Sequence, residues 1–205
     1  MSTSTQPAPT TRSTKRKDQS KRTKRKIYEA AVQEINQKGF NAVTIEDITT
    51  TAKVAKGSFY THFKSKEDLV FSTLAFSDEI YKKAYQKVQN LAFLPMMTQF
   101  LRLSYPEYEK RGKGVLRAMI SNYFAQEDQE YYGEDRILVQ CLRGIVERGK
   151  RDGLLEESIS TQEYAQILLS TMIGVEVLWC FDKEGRSLAD MMEQAMLITA
   201  KGMFR

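Results

Sequence analysis

Four prolines in 205 residues, two cysteines and a single histidine deprive several function classes of their usual equipment. With so few helix breakers and no sustained alternation of apolar and polar residues, strands are not expected. Lys, Glu, Gln, Ala, Leu and Met are abundant, and all are good helix formers. The chain therefore reads as all-α. Cys141 and Cys180 stand far apart and in no metal-ligand spacing, which fits a reducing compartment and small core residues, without disulfides or zinc. His62 has no nucleophile or metal-ligating cluster around it in the sequence, so an enzyme is not expected, nor a cofactor or metal. The longest apolar run, Ile167 to Phe181, is interrupted by Ser170, Thr171 and Glu176 and reads as too short and too polar for a bilayer. The N-terminal stretch lacks the apolar region of a signal peptide, so a cytoplasmic protein without a membrane partner is expected.

The formal net charge is +5, unevenly spread. Residues 12–26 hold nine basic side chains against Asp18, so this segment carries +8 and the remainder −3. Residues 1–11 have no charged side chain and almost nothing apolar, which cannot offset the entropy of ordering. Residues 1–22 thus read as a disordered basic arm. Such a run is either a solubilising tail or an arm that contacts phosphates or the minor groove.

The most informative stretch lies just beyond the arm. Helix 1 is expected from about Thr23 to Lys38, burying Ile27, Ala30, Ala31 and Ile35, with Gly39 in the left-handed position that ends it. Thr44 is a good N-cap for a second helix, with Asp47 at its third position and Ile45, Ile48 and Ala52 at helical spacing. A few residues later comes a third, short helix from about Ala55, in which Phe59 and Phe63 share a buried face and Val54 packs in the turn. Two helices joined this tightly form a helix-turn-helix. The outward face of the second one carries Lys56, Ser58, Tyr60, Thr61 and His62, donors and one polar-tipped aromatic suited to DNA rather than to catalysis. For His62 the alternative is a hydrogen-bonded residue at a helix end.

The run from Val54 to Leu69, together with Gly39-Phe40 and the Thr44-Ile45-x-Asp47-Ile48 helix start, resembles the signature of the TetR family of one-component transcriptional regulators. Ala55 departs from it, since many relatives have a capping Ser there, and losing a cap costs about 1 kcal/mol. The resemblance implies that Thr44 and Lys66, at the starts of helices 2 and 4, hold phosphates with the helix amides, that Tyr60 and His62 also touch the backbone, and that Lys56 and Ser58 read base edges, Lys56 favouring guanine. It implies two domains: helix-turn-helix over 23–68 and effector binding and dimerisation over 69–205.

Ser65, with Asp68 three residues on, starts helix 4, which continues to about Gln89 and suits a mechanical link between the domains. Pro95 fits the first turn of helix 5, Pro106 and Gly112-Lys113-Gly114 mark loops, and helix 6 is expected over Val115–Gln126. Helix 7 reads as Asp135–Asp152 before Gly153, helix 8 as Ser160 or Thr161 to Asp182, and helix 9 as capped by Ser187. The resemblance implies that helices 8 and 9 form a homodimer interface; Ser170 and Gly174 supply a small-residue strip and Leu188, Met192, Ala195 and Ile198 an apolar stripe, which an ordinary core would equally show. Helices 4 to 8 would enclose an effector pocket, with Phe93, Met97, Phe100, Met119, Tyr123 and Trp179 as lining and Glu176 as a polar anchor or one half of a structural ion pair.

The function expected is a ligand-responsive DNA-binding regulator: a homodimeric repressor released from a palindromic operator by a small, largely apolar effector. An activator of the same fold, or a helical protein-interaction module with a basic tail, are the alternatives.

Overall fold

Helix-forming residues extend well before the first apolar position, and the chain uses them. The protein is described by a computed structural model covering residues 11–124, 133 and 135–205, with the backbone only at 11–14, 123 and 124; α1 spans Thr11–Lys38. Its buried side begins at Ile27 and continues with Ala30, Ala31 and Ile35, whereas residues 15–22 are exposed. The expectation of a disordered 1–22 arm is thereby corrected for residues 11–22, which are helical; residues 1–10 lie outside the described residues. Lys, Arg and Gln propagate a helix readily once a packed turn has paid for nucleation, and no proline follows Pro9 before Pro95.

Two compact units divide at residues 69 and 70. In the first, Gly39 at φ 80° closes α1 and its amide donates to the Ile35 carbonyl at 2.9 Å. Next come α2 (Ile45–Ala52), α3 (Lys56–Tyr60) and the start of α4 (Lys66–Val88). α1 packs against both α2 and α3. Ile27, Ile35, Val43, Ile48, Phe59, Phe63 and Leu69 form the apolar core. A polar seam joins α1 to α2: buried Glu34 accepts from Thr51 at 2.6 Å and pairs with Lys38 at 2.7 Å, and Lys38 reaches Asp47 at 2.9 Å.

The second unit contains the rest of α4, then α5 (Phe93–Glu109), α6 (Gly112–Phe124), α7 (Ile137–Arg151), α8 (Thr161–Phe181) and α9 (Leu188–Gly202). α8 is central, packed on α6, α7 and α9. Ser160 and Glu163 cap its N-terminus reciprocally. Among the described residues there is no strand, only an isolated bridge between Leu155 and Phe204.

Two expected loops are helix. Pro106 lies inside α5, three residues before its end, where the missing amide forfeits only the bond to the Arg102 carbonyl. Gly112 at φ 81° turns the chain so sharply that α6 starts there, and Gly112-Lys113-Gly114 are its first residues. The expected end of α6 at Gln126 lies outside the described residues. α8 alone among the described helices has the length and mean hydropathy (21 residues, 1.5) of a membrane span, more than the sequence reading allowed it, yet half of the apolar stretch is buried inside the protein.

Candidate nucleic-acid interface and effector cavity

Around the helix-turn-helix the local chemistry explains each placement. Thr44 and Asp47 form a complete capping box: the Thr44 hydroxyl accepts from the Asp47 amide at 3.1 Å, while the Asp47 carboxylate accepts from the Thr44 amide at 2.9 Å. Lys38, then Thr44, hold the Asp47 carboxyl well below the usual carboxylate range. α2 ends at Lys53, whose φ of 54° is left-handed. Its amide and that of Val54 donate to Thr50 and Thr49, so the chain reverses in three residues before α3. Ala55 caps α3 without a side-chain bond. Phe59 instead anchors this short helix, fully buried and 5.6 Å from the Phe63 ring; Val54 is half-buried.

With Phe59 inward, Lys56, Tyr60 and Thr61 are exposed and Ser58 and His62 half-buried. Tyr60 is 55% exposed, its ring edge-on to that of Phe59 at 5.5 Å. Lys56 pairs with Glu46 of α2 at 2.6 Å, which raises its pKa. The Thr61 hydroxyl donates back to the Gly57 carbonyl at 3.1 Å. Partial burial, then the charge of Lys24, hold the His62 imidazole below its ordinary pKa, so it is neutral at neutral pH. Lys66 has a structural role: its ammonium donates to the carbonyls of Phe40 and Val43, each at 2.8 Å, and lies 4.6 Å from the Phe40 ring centre. That binds the loop before α2 to the first turn of α4.

Two features escaped the sequence reading. Lys24 lies 5.4 Å from the Phe63 ring, which brings the basic half of α1 beside the segment that follows α3. A Cβ at Gly57 would meet nothing within 4 Å, so packing within the protein does not demand this glycine. The first was hidden by treating the basic run as separate from helix 1.

The second unit holds a cavity of about 30 Å³ with walls from five helices and the residue before α7. α4 gives Leu74, Ser77 and Tyr81; α5 gives Tyr108; α6 gives Met119; and α7 gives Leu138 and Val139 after Arg136. Glu176 closes it from α8. A second cavity of about 10 Å³ shares Tyr108 and Met119 and is bounded by Trp179 and Arg111. Of the expected lining, Met119, Glu176 and Trp179 are therefore at cavity walls. Phe93, Met97 and Phe100 are fully buried core residues, Phe100 stacked 5.9 Å from Tyr81. The Tyr123 side chain lies outside the described residues.

Among the described residues Glu176 does not have the expected ion pair. Its partner is Tyr105, whose hydroxyl donates to it at 2.9 Å. Burial pushes the Glu176 carboxyl up to about 7, and the Tyr105 bond opposes this. Tyr105, on α5 next to Pro106, was hidden because Pro106 read as a loop.

On α8 the outward face shows Ile167, Ser170, Gly174, Leu178 and Phe181, with Phe181 73% exposed and Leu178 63%. The expected α9 stripe divides: Leu188 and Met192 are buried within the chain, Ala195 is half-buried, and Ile198 is 66% exposed.

Residues 27–73 match the family model described as bacterial regulatory proteins, tetR family. The chain is similar to the uncharacterised helix-turn-helix transcriptional regulator YuxN of Bacillus subtilis, 35% identical over 65 residues, 32% of this chain and about a fifth (21%) of that regulator's length. It is also similar to the transcriptional repressor KstR2 of Rhodococcus jostii, 26% identical over 148 residues covering 70% of this chain and 72% of KstR2. The fold is that of the transcriptional regulator FadR from Bacillus subtilis, solved in complex with stearoyl-CoA: TM-score 0.69 at 18% identity, covering 86% of this chain and 97% of FadR.

Proposed function

The chain belongs to the TetR family of transcriptional regulators, and on that premise we propose that it is a homodimeric repressor, released from a palindromic operator by a small, largely apolar effector. It is a regulator, not an enzyme. The observation that carries the DNA reading is the α2–α3 surface, where Lys56, Tyr60 and Thr61 project from a helix fixed by Phe59. In this reading, Thr44 and Tyr60 contact phosphates and Lys56 exchanges Glu46 for a base edge or phosphate, with Ser58 and His62 flanking it and Lys66 fixing the loop that positions Thr44. Its place of action is the cytoplasm, with the DNA.

The dimer reading is supported by the exposed Ile167, Leu178 and Phe181 of α8 beside Ile198 of α9, a concentration of apolar surface that a second copy would cover about a twofold axis. Gly174, open to solvent on the same face, permits close helix approach. Effector binding is assigned to the two cavities of the second unit. α4 supplies the first turn beyond the helix-turn-helix and also the cavity wall residues Leu74, Ser77 and Tyr81, which makes it the element through which occupancy reaches the DNA-binding unit.

The test is a Leu178→Glu variant followed by light scattering and by DNA binding. It should shift the protein to monomer and abolish preference for palindromic DNA. A Leu178→Glu protein that stays dimeric excludes this α8 face as the interface.

A further inference from the structure

A buried carboxyl at a cavity wall needs a counterpart. Glu176 is 7% exposed, and among the described residues it has no ion pair; Tyr105 is its one hydrogen-bond partner. Residues 125–134, mostly outside the described set, contain four acids and no Lys or Arg in their sequence, so they offer no cation either. The two guanidiniums at these cavities are committed elsewhere: Arg136 to Asp78 at 3.0 Å, and Arg111 to the Thr73 carbonyl at 3.1 Å and the Ser77 hydroxyl at 2.5 Å. Aromatic rings gather beside the carboxyl. Tyr105 lies 5.7 Å from Tyr108, which lies 6.4 Å from Tyr81. Rings and a carboxylate together attract a cation; Leu74, Met119, Leu138 and Val139 supply apolar wall, and the Ser77 hydroxyl and Arg136 guanidinium that complete the lining are engaged by Arg111 and Asp78.

We propose that this cavity takes an amphipathic organic cation, a primary amine on an apolar body, with its nitrogen between Glu176 and the tyrosine rings and its body against Leu74, Met119 and Val139. This rests on the effector reading above. An ammonium group donates to the Glu176 carboxylate oxygen and replaces the missing ion pair, whereas a carboxylate ligand would bring a second negative charge to the same place. The first cavity, at about 30 Å³, admits the head group; the body enters as Met119 and Tyr108, which separate it from the second cavity, move apart. Trp179, the chain's one tryptophan, bounds that second cavity and reports on entry.

The experiment titrates full-length protein with octylamine, octanol and octanoate at about pH 8, by Trp179 fluorescence and calorimetry. Octylamine should bind saturably and more tightly than the other two. Glu176→Gln should weaken octylamine by about thirtyfold or more and leave octanol unchanged. Tyr105→Phe, which keeps the carboxyl, should retain amine binding and serves if Glu176→Gln does not fold. Groups facing Glu176 that also titrate or carry charge are Tyr81 from α4, Tyr105 and Tyr108 from α5, Arg111, Arg136 and, on its own helix, Cys180; burial holds Tyr81, Tyr105 and Cys180 above their ordinary values, and Glu176 is pushed up to about 7, so wild-type amine affinity should fall as pH is lowered from about 8 to about 6 and the carboxyl protonates. Octanoate or octanol binding more tightly than octylamine, unchanged amine affinity in Glu176→Gln, or no saturable amine binding overturns the inference. Sequence-specific DNA binding that persists in any of these cases leaves the regulator reading standing.

Discussion

Tyr105 donates its hydroxyl hydrogen to Glu176 across 2.9 Å, from α5 to α8, within the walls of the second unit. The bond lessens a cost that it does not remove, because the carboxyl still titrates near 7 rather than near its ordinary 4.5. A carboxyl with a raised folded pKa binds its proton more tightly in the native state, so its stability contribution is greatest at low pH and declines as pH rises from about 4.5 to about 7. Glu176→Gln should therefore melt higher than wild type at about pH 8, by up to roughly 3 kcal/mol, with the gap closing below about pH 5. Paired thermal melts across pH check this. A gap that widens toward low pH would contradict the assignment.

Recognition-helix roles separate by substitution. Tyr60→Ala should weaken operator and non-operator DNA alike, since a phosphate contact holds no sequence information. Lys56→Ala should lose discrimination, by about 1–3 kcal/mol. Because Lys56 is paired with Glu46 at 2.6 Å, Glu46→Gln should release it and raise affinity for DNA of both kinds. Anisotropy titrations on both duplexes measure all three. Equal loss of discrimination in Tyr60→Ala and Lys56→Ala would refute the division.

Gly57 offers a cleaner dissociation of stability from function. Its Cβ position is open, so Gly57→Ala should leave the protein as stable as before, or more so by up to about 1 kcal/mol in a helix, while weakening DNA binding. Melting temperature and DNA affinity on the same sample check both halves. Unaltered DNA affinity would show that the backbone at Gly57 does not approach DNA.

Much of this was legible because local signals and tertiary packing agree. Thr44 with Asp47, Ser160, Ser187 and the glycines at 39 and 153 each mark a helix end by backbone chemistry that acts within a few residues, so spacing reveals it. Pro106 misled because a proline's cost depends on where in a helix it falls. Phe93, Met97 and Phe100 show the other limit: an aromatic and methionine stripe is the same in a core and around a cavity, and only the packing of α4, α6, α7 and α8 decides. The partner of Glu176 lies 71 residues away, beyond any periodicity.

The basic half of α1 makes a prediction of its own. Residues 15–22 are exposed and helical, and Lys24 brings this segment beside Phe63. Deleting residues 1–22 removes six basic side chains and Asp18, a net +5 equal to the chain's whole formal charge. Every phosphate that the segment neutralises adds about 0.9 to the slope of log affinity against log salt, so the truncated protein should show a flatter line. Dimerisation should be unaffected. Parallel lines for full-length and truncated protein across a salt series would show a solubilising tail.

Sequence-specific binding by a twofold dimer can be read from selection out of randomised duplexes of about 30 base pairs. The wild-type protein should enrich an inverted repeat whose half-sites are centred about one helical turn apart, or a multiple of it, and the Lys56→Ala protein a less sharply defined repeat. Recovery of no consensus by the wild-type protein, or of a lone half-site without its inverted mate, would contradict it.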